Sequence, residues 1–258
     1  MTLGPTADQR LEARRRPPGR PVGYQRWNHL LFAHWKVSSA SVQSTLPAGL
    51  YVDTHAGEAY VGIVPFYMQR IRPAFLPAIP WLSWFLELNV RTYVHDRNGQ
   101  PGVWFYSLDC NRSLAVEVAR RAFHLPYHRA EMRAWQEGTV HHYECRRLGT
   151  PGPAPAFAWQ PGAESAVAAP GSLEFFLTER YVLFSAVGRG ELREGHVHHL
   201  PYQLNRPSSA TVSAVPAAQS GFSLAGAPDS ILGASSVDVE IFPLRRIAGE
   251  KALRPATL

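Results

Sequence analysis

Along Glu87–Val94 hydrophobic and polar side chains alternate strictly. Leu88, Val90, Thr92 and Val94 fall on one face, and Glu87, Asn89, Arg91 and Tyr93 on the other. A period of two predicts a β-strand. Glu58–Phe66, mostly apolar and β-branched, predicts an earlier strand, and Val103–Asp109 a later one. The turn signal from Asp96 to Gly102 joins Glu87–Val94 to Val103–Asp109 as an antiparallel hairpin. A second hairpin, Ala130–Gln136 with Thr139–Leu148, is centred on Gly138.

Helical spacing is rarer. Trp27–Trp35, with apolar Trp27, Leu30, Leu31, Phe32, Ala33 and Trp35, is compatible with a helix that buries one side. Asn111 or Ser113 caps a predicted helix through about Phe123, with Leu114, Val118 and Ala122 at helical spacing. Ser172 caps a shorter one through Thr178. Between them Gly149–Gly171, rich in Pro, Gly and Ala, reads as a long surface connection. Tyr181–Val187, Leu192–His199, Ala210–Val215 and Val237–Ile247 supply further strands. The two halves share a weak echo, Leu125-Pro126-Tyr127 against Leu200-Pro201-Tyr202. Many short strands with two or three helices predict an α+β, mainly antiparallel β architecture, with a closed barrel as one arrangement that fits.

Composition narrows the class. The 258 residues are 45% hydrophobic and 18% charged, as in a globular chain that needs no staples. The net charge of +6 raises the question of nucleic acid, but much of the excess is local: Arg10, Arg14, Arg15, Arg16 and Arg20, among Pro17, Pro18, Gly19 and Pro21. No nucleic-acid recognition pattern follows, so residues 1–23 are expected to form a solvated basic arm, 24–247 a single domain, and 248–258 a tail. Two cysteines, Cys110 and Cys145, make no disulfide framework and fit a reducing compartment. With no apolar run of about 18 residues, a cytoplasmic protein without a membrane partner is expected.

The polar row of Glu87, Asn89, Arg91 and Tyr93 has three readings. It is an ordinary wet face of an antiparallel sheet, or a ligand-binding face in which Arg91 holds a carboxylate and Glu87 accepts a proton, or a buried Glu87–Arg91 pair with no ligand role. His196 and His198 share a strand face, a spacing a metal can use, but no recognised zinc pattern surrounds them and no metal is expected. His141 and His142 are adjacent, and His29 and His34 stand five apart rather than the four of one helical face. Nucleophile elbows and phosphate loops are absent from the sequence, and the only lysines are Lys36 and Lys251. No cofactor is expected.

The ordered motifs His34-Trp35, Leu46-Pro47, Val52-Asp53-Thr54, Ala59-Tyr60-Val61-Gly62, Pro65-Phe66, Glu87–Val94, Gly102-Val103-Trp104-Phe105 and Leu125-Pro126-Tyr127 resemble the YqjF-like family, also called DUF2071. The likeness covers most of residues 24–247. That family is similar in fold to acetoacetate decarboxylase, which implies a closed, mostly antiparallel β-barrel with an interior cavity and a few peripheral helices, and carries no established reaction. The decarboxylase holds its imine-forming lysine in a Pro-Lys-Lys element. The matching element here is Pro126-Tyr127-His128-Arg129-Ala130 after Arg120-Arg121-Ala122-Phe123, with Tyr127 in place of that lysine and His128 in place of its neighbour. A phenol forms no imine with a ketone. The resemblance therefore implies an interior site of Glu87, Asn89, Arg91, Tyr93, Tyr127 and His128 that binds a small carboxylated or carbonyl molecule without Schiff-base chemistry. The alternatives are an acid–base enzyme on a small oxo acid, and an interaction module whose Trp81-Leu82-Ser83-Trp84-Phe85 block packs in a homo-oligomer; that block reads better as core or pocket wall.

Overall fold

Strand propensity and two-sided burial account for the architecture. The structure, a computed structural model, describes residues 4–79, 81–112, 124–188 and 190–247. Its elements are α1 (Ala7–Glu12), β1 (Gly23–Val37), α2 (Ser39–Gln43), β2 (Leu50–Val52), β3 (Ala59–Pro73), β4 (Phe85–Asp96), β5 (Pro101–Cys110), β6 (Tyr127–Glu137), β7 (Val140–Arg147), β8 (Ala156–Gln160), β9 (Ser165–Ala166), α3 (Leu173–Thr178), β10 (Val182–Val187), β11 (Glu191–His198), β12 (Leu204–Asn205), β13 (Ser209–Thr211), α4 (Val215–Ala218), β14 (Ser230–Ile241) and β15 (Arg245–Arg246). The strands pair in the order β13-β8-β7-β6-β5-β10-β11-β14-β1-β3-β4-β2, and β4 pairs with β5 as well. The pairings are antiparallel except that β5 runs parallel to both β6 and β10. Among the described residues no helix is long and apolar enough to cross a membrane.

The hairpin read from the alternation is β4 with β5, in which Glu87 faces Cys110 and Tyr93 faces Val103. A bulge leaves Tyr106 unpaired between Phe105, opposite Arg91, and Ser107, opposite Val90. On the other side of β4, Phe66 of β3 lies opposite Glu87 and Gly62 opposite Arg91. Cross-strand partners share a face, so Glu87, Asn89 and Arg91 look toward the cluster of Phe32, Val64, Phe66, Cys110 and Tyr202, while Tyr93 packs in a neighbouring one with Tyr60, Val103, Phe176 and Leu177. Leu88 and Val90 look the other way, into a second cluster with Leu31, Ala33, Tyr143, Phe157 and Trp159.

Three expectations change. Trp27–Trp35 is strand, not helix, because its apolar run serves both clusters: Leu30 and Phe32 enter one, Leu31, Ala33 and Trp35 the other. A continuous apolar run is what a strand buried on both faces looks like. The supposed surface connection 149–171 contains β8, whose Phe157 and Trp159 are fully buried. The basic arm is anchored rather than solvated, through Arg10 to Asp53, Arg14 to Glu179 and Arg16 to Glu240. The aromatic block divides, with Phe85 in the core and Trp81 exposed beside exposed Phe75 and Ile79. The helix expected at 113–123 lies outside the described residues, as does Lys251.

Candidate functional site

The polar row is buried. Glu87, Asn89, Arg91 and Tyr93 are 3%, 5%, 8% and 0% exposed, which removes the wet-face reading. Their partners come from elements far away in sequence. Ser172 caps α3 by accepting from the Phe175 amide, and this short helix turns the Leu177 carbonyl toward β4. Leu177 accepts from Arg91 Nη2 at 3.1 Å and from the Tyr93 hydroxyl at 2.7 Å. The carbonyl-rich end of a helix suits a guanidinium.

Arg91 makes no ion pair with Glu87 or with any other carboxylate among the described residues. Instead its guanidinium lies 5.5 Å from the Phe32 ring centre and 5.7 Å from that of Tyr93. A buried cation that, among the described residues, meets a carbonyl, a phenol and aromatic rings but no carboxylate is costly without a counter-charge. The nearby Arg180 differs: it meets Asp53 at 2.8 Å, and Asp53 also takes both nitrogens of Arg10 at 2.7 Å. Burial pushes the Asp53 carboxyl up, but Arg180 and Arg10 outweigh it and hold the group below its ordinary value.

At the other end of the row, the Tyr127 hydroxyl donates to Glu87 Oε2 at 2.9 Å, while the Tyr143 hydroxyl donates to the Glu87 carbonyl at 2.8 Å. Burial raises the Glu87 carboxyl to about 7; the Tyr127 bond works against this shift and Asp109 adds to it. Burial and the Glu87 charge push the Tyr127 phenol up, so it stays a donor.

Two histidines complete the lining. His34 Nε2 lies 2.6 Å from the Tyr93 hydroxyl, and burial followed by the Arg91 charge pulls its ring well below the ordinary value. His199 stacks on Tyr181 and lies against Tyr202 and Trp27, and burial is the main force that lowers it to about 4. Both Leu-Pro-Tyr elements deliver their tyrosines, Tyr127 and Tyr202, to the same cluster. Outside segment 199–203, Leu200, Pro201 and Gln203 line a surface groove of about 400 Å³ with Arg26, Val167 and Val237.

Of the residues expected at the site, Glu87 and Tyr127 touch, and Arg91 and Tyr93 share a carbonyl. Asn89 lies between them on the same face. His128 follows Tyr127 on β6 and shares the face of Ala130, which belongs to the opposite cluster. His196 and His198 are partly exposed near Glu194 and Glu240. The sequence reading missed His34, His199, Asp53 and Arg180 as site residues. The signal present was weak: two of them, His34 and Asp53, stand in the family-like motifs.

The mainly-β fold resembles that of acetoacetate decarboxylase-like proteins. The acetoacetate decarboxylase of Legionella pneumophila superposes with a TM-score of 0.61 at 12% identity, over 96% of this chain and 97% of that one. An acetoacetate decarboxylase-like enzyme from Sphingomonas wittichii RW1 gives 0.57 at 14%, over 89% and 94%. The enduracididine biosynthesis enzyme MppR, in complex with pyruvate, gives 0.60 at 11%, over 89% and 91%. Within that fold the chain belongs to the DUF2071 family, described as an uncharacterised conserved protein, whose pattern matches residues 24–238. It is 36% identical over 231 residues to the uncharacterised protein YqjF of Bacillus subtilis (strain 168), over 89% of this chain and 94% of that protein.

Proposed function

We propose that this chain binds a small carboxylate inside the sheet, with Arg91 as the anion receptor and no Schiff-base lysine. The observation that carries this reading is the buried Arg91 guanidinium without a carboxylate partner among the described residues. An anionic ligand supplies the missing counter-charge and pairs bidentately with a guanidinium. The circuit of pairings β5-β10-β11-β14-β1-β3-β4 and back to β5 supports a barrel wall around that site. Lys36 is exposed, and Tyr127, which by the resemblance stands in place of the decarboxylase lysine, is hydrogen-bonded to Glu87. MppR, of the same fold, is known in complex with pyruvate, which makes small oxo acids the first probes. In a thermal-shift series with pyruvate and related carboxylates, the wild type gains stability by mass action and Arg91→Ala does not. Equal shifts in both proteins remove Arg91 as the receptor.

A second reading adds chemistry to binding. Glu87, raised to about 7 and hydrogen-bonded to Tyr127, is suited to move a proton near neutral pH. Its test is exchange of the C3 protons of a bound oxo acid with deuterated solvent, followed by NMR. Exchange above the uncatalysed rate that disappears in Glu87→Gln supports it; background exchange in the wild type sinks it.

A further inference from the structure

The buried polar atoms around Arg91 can be sorted into donors and acceptors by their existing bonds. The single Tyr93 proton goes to the Leu177 carbonyl, so at the 2.6 Å contact His34 Nε2 must be the donor. Burial beside a guanidinium keeps that ring neutral, so Nδ1 carries a lone pair. His199 Nδ1 lies 2.7 Å from the Leu200 carbonyl, which only accepts; Nδ1 therefore carries the proton and, in the neutral ring, Nε2 the lone pair. Asn89 Oδ1 is a third acceptor. These three acceptors, together with the donors Arg91 Nε and Trp27 Nε1, are buried without a hydrogen-bond partner among the described residues.

Ring contacts connect Trp27, His34, Arg91 and His199, and Asn89 stands two residues before Arg91 on the same face of β4. Phe32 touches Arg91, His34 and Tyr202, and Tyr202 touches His199, which touches Trp27. His34, Asn89, Arg91 and His199 are each more than nine-tenths buried. Buried polar atoms in native proteins are satisfied, and each orphan costs free energy. A ligand that satisfies this set brings an anion for Arg91 and hydrogen-bond donors for three lone pairs. An oxo acid has acceptors only.

We propose that the ligand of this site is a hydroxy acid, whose carboxylate meets Arg91 and whose hydroxyl groups donate to His34 Nδ1, His199 Nε2 or Asn89 Oδ1. Hydroxyl is favoured over ammonium as the donor because Arg91 already stands in the lining and the buried carboxylates are engaged elsewhere: Asp53 by Arg180 and Arg10, Glu179 by Arg14 and Tyr181, and Glu87 by Tyr127. An ammonium group would add a further cation. The assignment rests on the carboxylate reading above and deepens it.

Matched ligands that differ only in CH–OH against C=O test it: lactate with pyruvate, and 2-hydroxyglutarate with 2-oxoglutarate, titrated by calorimetry against the full chain. In at least one pair the hydroxy member binds at least about tenfold more tightly to the wild type, the size of one buried hydrogen bond. The preference shrinks toward unity in at least one of Asn89→Leu, His199→Phe and His34→Phe, with the fold of each checked by circular dichroism. Should a variant fail to fold, Asn89→Gln and His199→Gln, which keep a neutral acceptor, retain the preference. Oxo members that bind as tightly as hydroxy members, with binding lost in Arg91→Leu, overturn this inference and leave the carboxylate site standing. A preference unchanged in Asn89→Leu, His199→Phe and His34→Phe alike also overturns it. Absence of binding by every probe, or undiminished binding in Arg91→Leu, removes the carboxylate site and the hydroxy-acid assignment together.

Discussion

Glu87 is the residue on which pH acts most directly. Its carboxyl is raised to about 7 in the folded protein, above its ordinary value of 4.5. Between those values the folded state keeps a proton that the unfolded chain has lost. Stability is therefore greatest below the ordinary value and falls as pH rises through about 7, by about 3 kcal/mol in all. Urea unfolding at pH 5 and pH 8 should show this loss in the wild type and its absence in Glu87→Gln. Tyr127→Phe, which removes the bond that lowers the carboxyl, should move the midpoint higher; a midpoint that does not move would deny the Tyr127 contact. Glu87 and Arg91 were legible as a pair of interest because strand alternation puts them on one face. That they do not pair with each other was not legible. Arg91's carbonyl partner lies 86 residues away and Tyr127 lies 40 from Glu87, and nothing local in the sequence specifies either contact.

At the scale of elements, β1 and β3 hold the site to tolerances of less than a methyl group. Gly62 of β3 stands opposite both His34 and Arg91, and a Cβ there would lie 2.8 Å from the His34 ring and 3.5 Å from the Tyr93 hydroxyl. His34 is fully buried and bonded, so it has little room to yield. Gly62→Ala should therefore destabilise the protein by roughly 1–3 kcal/mol in chemical denaturation; a neutral result would mean that the ring moves freely. The hairpins β4–β5 and β6–β7 were legible because turn residues and alternation agree. β1 was not, since an apolar run buried on both faces has no period to read, and misassigning it concealed that His34 and Phe32 share a face. β8 was hidden by the prolines and glycines that flank its short buried core, Phe157 and Trp159.

Over the whole molecule the basic arm is a strap rather than a tail. Arg10, Arg14 and Arg16 not only meet carboxylates but also lie over the rings of Phe176, Phe175 and Phe242. Asp53 links Arg10 to Arg180, which stacks on Tyr93, so the strap reaches Tyr93 through two intermediate residues. Composition revealed the positive charge of the arm but not its partners, which are spread from Asp53 to Glu240. Removing residues 1–20 should lower the melting temperature by roughly 5–10 °C, on the scale of a few kcal/mol for a chain of this size. An unchanged melting temperature would leave the strap without structural weight. The strap also fixes an order in time. Arg16 leaves the ribosome early, but its partner Glu240 follows 224 residues later, roughly ten seconds or more at ~5–20 residues per second. The Arg16 end of the strap is thus among the last contacts to form, since it waits until β14 is in place.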